Sequence, residues 1–282
     1  MTAVSSKQVV FTRDVDSGRR RTLLLVRIFK EPPYVGWSLA STVLLLAGWE
    51  FGTWLLRIPP VILPPPSLIA VAFWKYAIAG SMFGDIVATF RRVLAGLAIG
   101  GGAGVVVGLL MGWYVKFRAL LQPVIISTFP IPKIALLPLL MIWFGMGDAF
   151  KIALVAIGVF YILLVNTMAG VAGVSRTTIM AVQNLGANDF QLLYKAVLPA
   201  AFPVIMAGIR VSFSIALVLV IAAEMVLSRD GIGSFLVSSG QILDVESIFA
   251  ALTVTALMGV IGYAVLDLIE RILLPFQRSV GS

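Results

Sequence analysis

Six apolar runs, each long enough to cross a hydrocarbon core, dominate this chain. A helix needs about 20 apolar residues for that crossing, and the sequence supplies them near 36–57, 88–113, 119–144, 149–171, 203–226 and 247–272. Composition agrees, because 60% of the residues are hydrophobic, only 12% are charged and the mean hydropathy is +1.04. A soluble domain carries about twice that share of charge. The expected class is therefore all-α, a polytopic membrane protein with six transmembrane helices. The chain has no Cys and no His, which removes thiol nucleophiles, imidazole bases and most transition-metal sites.

Charge sets the expected orientation. The net charge is +8, and Lys7, Arg13, Arg19, Arg20, Arg21, Arg27 and Lys30 all precede the first long apolar run. Such a tail belongs on the cytoplasmic face. Residues 19–30 have too short an apolar core to span and read either as a basic amphipathic helix on anionic headgroups or as a disordered tail. Pro32-Pro33 with no small-x-small site argue against a cleavable signal peptide. The expected division is a basic tail over 1–35, a membrane domain over 36–276 and a short tail over 277–282. With the tail inside, both termini are cytoplasmic, and Arg57, Lys75, Arg91, Arg92, Lys151 and Arg229 fall on the opposite side.

Within the spans, Pro59-Pro60 and Pro64-Pro65-Pro66 stop a helix, and Ser67 can cap a short one through Tyr76. Gly96, Gly100, Gly104, Gly108 and Gly112 recur every fourth residue and form a groove for a neighbouring backbone, within one subunit or across a dimer seam. Pro130, Pro132 and Pro138 break the third span, so that a neighbour or a water-filled cavity must satisfy the freed carbonyls. Lys133 sits in that break, with Glu224 or a permeating anion as the expected partner and a structural or snorkelling role as the competing reading. Thr128, Asn166, Ser212 and Glu224 are further polar candidates for a pathway, although a lone membrane hydroxyl more often bonds its own backbone. Arg210 reads as a headgroup anchor.

The longest internal polar segment, 175–202, contains Met180, Ala181, Gly186, Asp189, Phe190, Leu198 and Pro199. The spacing from Gly186 to Leu198-Pro199, followed by Pro203 and Gly208-Ile-Arg210, resembles the EAA loop of binding-protein-dependent ABC importer permeases. Leu63-Pro64-Pro65-Pro66, Arg92-Val-Leu-Ala-Gly96, Phe129-Pro-Ile-Pro-Lys133, Ile142-Trp-Phe-Gly145, Asn166-Thr167, Ala223-Glu224 and Gly231-Ile-Gly233 are similar to the nitrate, sulfonate, taurine and bicarbonate branch. The resemblance runs from about Leu63 to Phe276. Met180 stands where the motif has Glu, Val182 replaces its second Ala, Gln183 a frequent Arg, and Ala196 the usual Ile.

The resemblance implies a type I importer permease with a MetI-like fold in the bacterial inner membrane. It implies that 175–202 docks into an ATPase, here through Gly186 and apolar contacts more than charge. Asp189 near the start of a short helix and Lys195 near its end suit the helix dipole, with Pro199 ending it. The implied partners are two ATP-binding subunits, a second permease copy, most simply in a homodimer, membrane lipids rather than nucleic acid, and a periplasmic or lipid-anchored binding protein. No GxxxxGK[ST] loop is present, so ATP and Mg belong to the separate ATPase, and this chain is a transport subunit and binds no cofactor. The implied substrate is a small anion; an uncharged pyrimidine-like or aromatic solute is the alternative. An ion-coupled carrier should show interrupted helices in matching inverted halves, and only one span is strongly broken.

Overall fold

A computed structural model describes residues 32–273. The basic segment over 19–30 and the tail over 277–282 lie outside the described residues. The chain divides into two compact units, Met1–Ile58 and Pro59–Ser282. In the first unit, α1 (Pro32–Leu55) is one 24-residue helix. Glu50 and several Gly, Ser and Thr residues dilute its apolar centre at Val43-Leu44-Leu45-Leu46-Ala47.

The second unit begins with α2 (Pro66–Ile78). Ser67 does not cap it: the preceding Pro65 is extended and makes no side-chain cap, and Pro66 occupies the first turn. There a missing amide proton costs nothing and the fixed φ is already helical. Next, α3 (Ser81–Gly96), a π-helical turn over Leu97–Gly101 and α4 (Gly102–Trp113) form one continuous rod. A residue every four drifts about 40° per step around an α-helix. The wider π turn takes back part of that drift and keeps the glycines on one face.

That face packs on α7 (Asp148–Ala172) of the same chain. A Cβ on Gly100 would lie 2.0 Å from the Ala156 carbonyl oxygen, and Cβ atoms on Gly104 and Gly108 would each lie 2.6 Å from the carbonyl oxygens of Phe160 and Leu164. Gly96 meets Val155 and Gly112 meets Val171. Backbone thus rests on backbone, which small residues alone permit.

The broken third span consists of α5 (Val115–Thr128), a 3-10 turn over Lys133–Leu136 and α6 (Leu137–Phe144), bent by 86°. After α7 come α8 (Arg176–Asn184), α9 (Asp189–Leu192), a second π turn over Leu193–Val197 and α10 (Leu198–Val226). Pro199 does not end a helix as expected. It lies in the first turn of α10, and Asp189–Val226 runs on for 38 residues. A proline ring clashes with the carbonyl four residues earlier in an α-helix; the wider π turn directly before it gives the ring room. Finally, α11 (Ile232–Gln241) turns the chain back into α12 (Val245–Leu273).

The core is built on α7 and α10, with Leu154, Val155, Val159 and Leu163 of α7 meeting Phe213, Ala216, Leu217 and Val220 of α10. A smaller cluster, Val171, Leu192, Ala196, Val197, Ala201 and Ile205, carries the partly buried Ile179 and Val182 of α8. Among the described residues, four helices are long and apolar enough to cross a membrane, or five when the bent pair counts as one span.

Candidate functional site

The polar segment is built as a turn held against a fixed base. Ser175 caps α8 by accepting from the Thr178 amide. Asn188 and Gln191 form a reciprocal capping box at α9, with Asn188 Oδ1 accepting from the Gln191 amide at 2.8 Å. Between them Gly186 adopts φ +81°, with open space around the position a Cβ would take. It is the left-handed turn that requires glycine there. Asp189 lies exposed in the first turn of α9, favourable to the dipole. Met180, Ala181 and Pro199 are exposed, and Leu198 is half-buried. Leu185 (86% exposed) and Phe190 (76%) stand out into solvent, and the Phe190 and Tyr194 rings stack at 6.5 Å. This face offers apolar and aromatic surface on a braced support.

Of the five pathway candidates only Thr128 and Lys133 are brought together, and the five do not form one site. Thr128 donates to the Val124 carbonyl at 2.6 Å and accepts from the Tyr161 hydroxyl at 2.9 Å. Asn166 donates to the Ile162 carbonyl and packs on Gly208. Ser212 is wholly buried inside α10. Lys133 does not pair with Glu224; its ammonium donates to the carbonyls of Thr128, Phe129 and Ile131. A cavity of about 890 Å³, wide open on one side, lies against the broken span instead, lined by Ile134, Leu137, Pro138, Met141, Ile142 and Met146 among others. None of the five candidates lines it. Arg210 is also placed differently: it pairs with Asp267 and Glu270 of α12 and lies over the Tyr263 ring, because those acids share its end of the bundle.

Glu224 belongs to a buried ion cluster centred on Arg92. Arg92 is 1% exposed. It donates through Nη1 to Glu224 Oε1 at 2.6 Å, through Nη2 to Asp230 Oδ1 at 2.6 Å and through Nε to Asp148 Oδ1 at 2.9 Å. Glu224 also accepts from the Thr89 hydroxyl and the Gly233 amide, each at 3.0 Å. Lys151, likewise buried, donates to Ser228. Gly231 (φ +99°) and Gly233 seat the chain on this carboxylate: a Cβ at either would meet Glu224 atoms within 2.6 Å. Asp85 accepts from the Gly231 amide and from the Tyr76 hydroxyl at 2.8 and 2.7 Å. Burial first, and then the Asp85 carboxylate, raises the Tyr76 phenol well above its ordinary value. The Arg92 hydrogen bond holds the Asp230 carboxyl below the usual carboxylate range.

This cluster joins α3, α7, α10 and the turn into α11, and reading Arg92 as a charge on the far membrane face missed it. Two signals pointed to it. An Arg and a Glu in or beside apolar spans need partners, and both stand inside the short stretches that carried the family resemblance.

Fold and site together define a multi-spanning helical membrane subunit that carries a braced helical arm at one end of its bundle and an ion-pair clamp on the same long helix. The family described as binding-protein-dependent transport system inner membrane component matches residues 104–279, and the chain belongs to it. It is thus a multi-pass, non-catalytic permease component of an ABC transporter in the inner membrane. Two relatives are 30% identical: the putative aliphatic sulfonates transport permease protein SsuC of Bacillus subtilis, over 86% of this chain and 89% of its own, and the taurine transport system permease protein TauC of Escherichia coli, over 86% and 90%. The riboflavin transport system permease protein RibX of Chloroflexus aurantiacus is also 30% identical, over 85% and 89%. Among solved structures, a chain of the MetNI methionine ABC transporter in inward-facing conformations shares the fold, with a TM-score of 0.57 at 16% identity over 70% of this chain and 96% of its own.

Proposed function

We propose that this chain is the transmembrane subunit of an ATP-driven importer, acting as a homodimer with two separate ATPase subunits and an external binding protein. The observation that carries the coupling role is the continuous helix Asp189–Val226. One end bears exposed Phe190 and Tyr194 on the capped turn at Gly186; the other is clamped through Glu224 to Arg92. Met180, Ala181, Gly186, Asp189, Phe190, Leu198 and Pro199 form the ATPase contact, through shape and apolar surface. ATP and Mg are held by the ATPases. In this reading α1 is the sixth span, the coupling segment and both termini are cytoplasmic, and the Arg92 cluster lies toward the outside.

The substrate is a small anion of the sulfonate, taurine, nitrate or bicarbonate type, a reading supported by the sulfonate and taurine relatives. A second reading, an uncharged aromatic solute, has its own support in the riboflavin relative and in the apolar lining of the cavity at the break. The test is reconstitution with a partner ATPase and a binding protein. ATP-dependent uptake of taurine, an alkanesulfonate, nitrate, bicarbonate or riboflavin identifies the solute; ion-driven uptake without any ATPase would refute the proposal.

A further inference from the structure

Pro130 and Pro132 bring no amide proton to the end of α5. In an uninterrupted helix, residue 132 would donate to the carbonyl of Thr128 and residue 133 to that of Phe129. The proline and the bend remove both bonds, at the helix end where partial negative charge collects. The turn returns only a long contact, from the Ile131 amide to the Thr128 carbonyl at 3.3 Å.

The Lys133 side chain folds back onto this end. Its Nζ donates to the carbonyl oxygens of Thr128, Phe129 and Ile131 at 3.1, 3.0 and 2.9 Å. An ammonium has three protons to give, and these acceptors use them all. The same nitrogen lies 4.2 Å from the centre of the Tyr161 ring and 5.9 Å from that of Phe129, within cation–π range. Tyr161 belongs to α7 and donates its hydroxyl to Thr128. The ammonium therefore ties the end of α5 to α7, and the chain immediately after it, Ile134 and Ala135 followed by Leu137 and Pro138, forms the wall of the cavity.

We propose that Lys133 is a positioning residue whose ammonium brackets the bend of the broken span and sets where the cavity wall stands, and that it does not bind the transported solute. An anion reaching this ammonium would have to displace backbone carbonyls and sit among the remaining ones, whose partial negative charge repels it. The inference rests on the transport reading given above.

The test uses the permease–ATPase complex in proteoliposomes with its binding protein, taurine being the probe. Binding-protein-stimulated ATP hydrolysis is read alongside, with taurine, an alkanesulfonate, nitrate, bicarbonate and riboflavin supplied in turn, and the one that stimulates wild type replaces taurine as the probe if taurine does not. A wild-type complex showing neither activity contradicts the transport reading itself, before any variant is compared. Lys133→Met keeps the apolar stem and removes the donors; maximal uptake and stimulated hydrolysis should fall about tenfold while the half-saturating taurine concentration stays within about twofold. Lys133→Arg, which still offers donors to the same carbonyls, should stay within about threefold of wild type. Pro132→Ala in the Lys133→Met background returns an amide proton beside the Thr128 carbonyl and should recover at least about threefold of the lost rate. If Lys133→Met fails to assemble, recovery of assembly in the double variant supports the proposal in the same way. A strongly raised half-saturating concentration with the maximal rate intact, or no recovery by Pro132→Ala, would overturn it.

Discussion

Replacing Arg92 with Met keeps the apolar stem of the side chain and removes the cation that Glu224, Asp148 and Asp230 share. The three carboxylates do not suffer equally. Asp148 and Asp230 are 32% and 54% exposed at their side chains and turn to water. Glu224 is sealed in the core and keeps only the Thr89 hydroxyl and the Gly233 amide. Removing one partner of a buried pair costs about 3–5 kcal/mol, because the remaining charge is left uncompensated. For a chain of this size, that lowers the melting midpoint on the order of 10 °C. Adding Glu224→Gln takes away the stranded charge, while the amide oxygen still accepts from Gly233, so the double variant should regain all but about 1–2 kcal/mol. The assay is thermal unfolding of the detergent-purified subunit, read as loss of its monodisperse chromatographic peak. The reasoning fails if Arg92→Met melts with wild type, or if the double variant melts no higher than the single one.

Gly100→Ala drives a methyl into the Ala156 carbonyl and forces α7 off the glycine face, at a cost of about 3 kcal/mol, whereas Gly102→Ala, with nothing within 4 Å, should change the midpoint little in the same melting assay. Gly186→Val strains a left-handed turn by about 1–2 kcal/mol in a position with open space; the membrane fold should survive while ATPase co-purification falls, and normal co-purification with normal turnover would speak against the coupling role. Phe190→Ser, at an exposed ring, should leave stability within about 0.5 kcal/mol yet weaken ATPase association about tenfold or more, as loss of an aromatic anchor does. Because Arg92 lowers the folded-state pKa of Asp230, the carboxylate's contribution to stability is complete above its unfolded value and is lost as the pH falls through the lowered folded one. Asp230→Asn should therefore flatten the acid limb of a melting-midpoint profile, modestly, since the side chain is half-exposed.

Much of the membrane architecture was legible because hydropathy is a property of whole segments. The rods at Met82–Trp113, Asp148–Ala172 and Val245–Leu273 lie close to the apolar runs that announced them, and the proline-broken third span is bent where its prolines stand. Glycine spacing announced a close approach, but the identity of the approaching helix is a tertiary fact that spacing does not contain. Pro199 misled because a proline usually closes a helix, and the π turn that accommodates it has no simple sequence sign. Lys133 and Glu224 were each visible as costly charges, yet pairing them by sign alone failed. Lys133 found backbone carbonyls freed by its own neighbouring prolines, and Glu224 found an arginine 132 positions away.

The position of the Arg92 clamp matters for how motion would travel. At 1.5 Å per residue, the helix Asp189–Val226 is about 57 Å long, longer than a bilayer is thick. A lever transmits displacement only if its far end is held. Glu224, near that far end, is bound to Arg92, and Arg92 is bound in turn to Asp148 at the start of α7 and to Asp230 before α11. Backbone contact through the glycine face joins α3 and α4 to α7 along its length. A push on Phe190 would therefore move α3, α4, α7, α10 and the start of α11 as one body. The broken span lies outside the Arg92 cluster and meets this body through the apolar Leu137 and Leu140, through Lys133 and Thr128 at Tyr161, and through Arg118, which donates to the Met111 and Gly112 carbonyls of α4. Ion-pair and hydrogen-bonded contacts resist displacement more than apolar packing does, so, on the transport reading proposed above, movement of the broken span against the clamped body would be resisted mainly where Lys133 and Thr128 meet Tyr161.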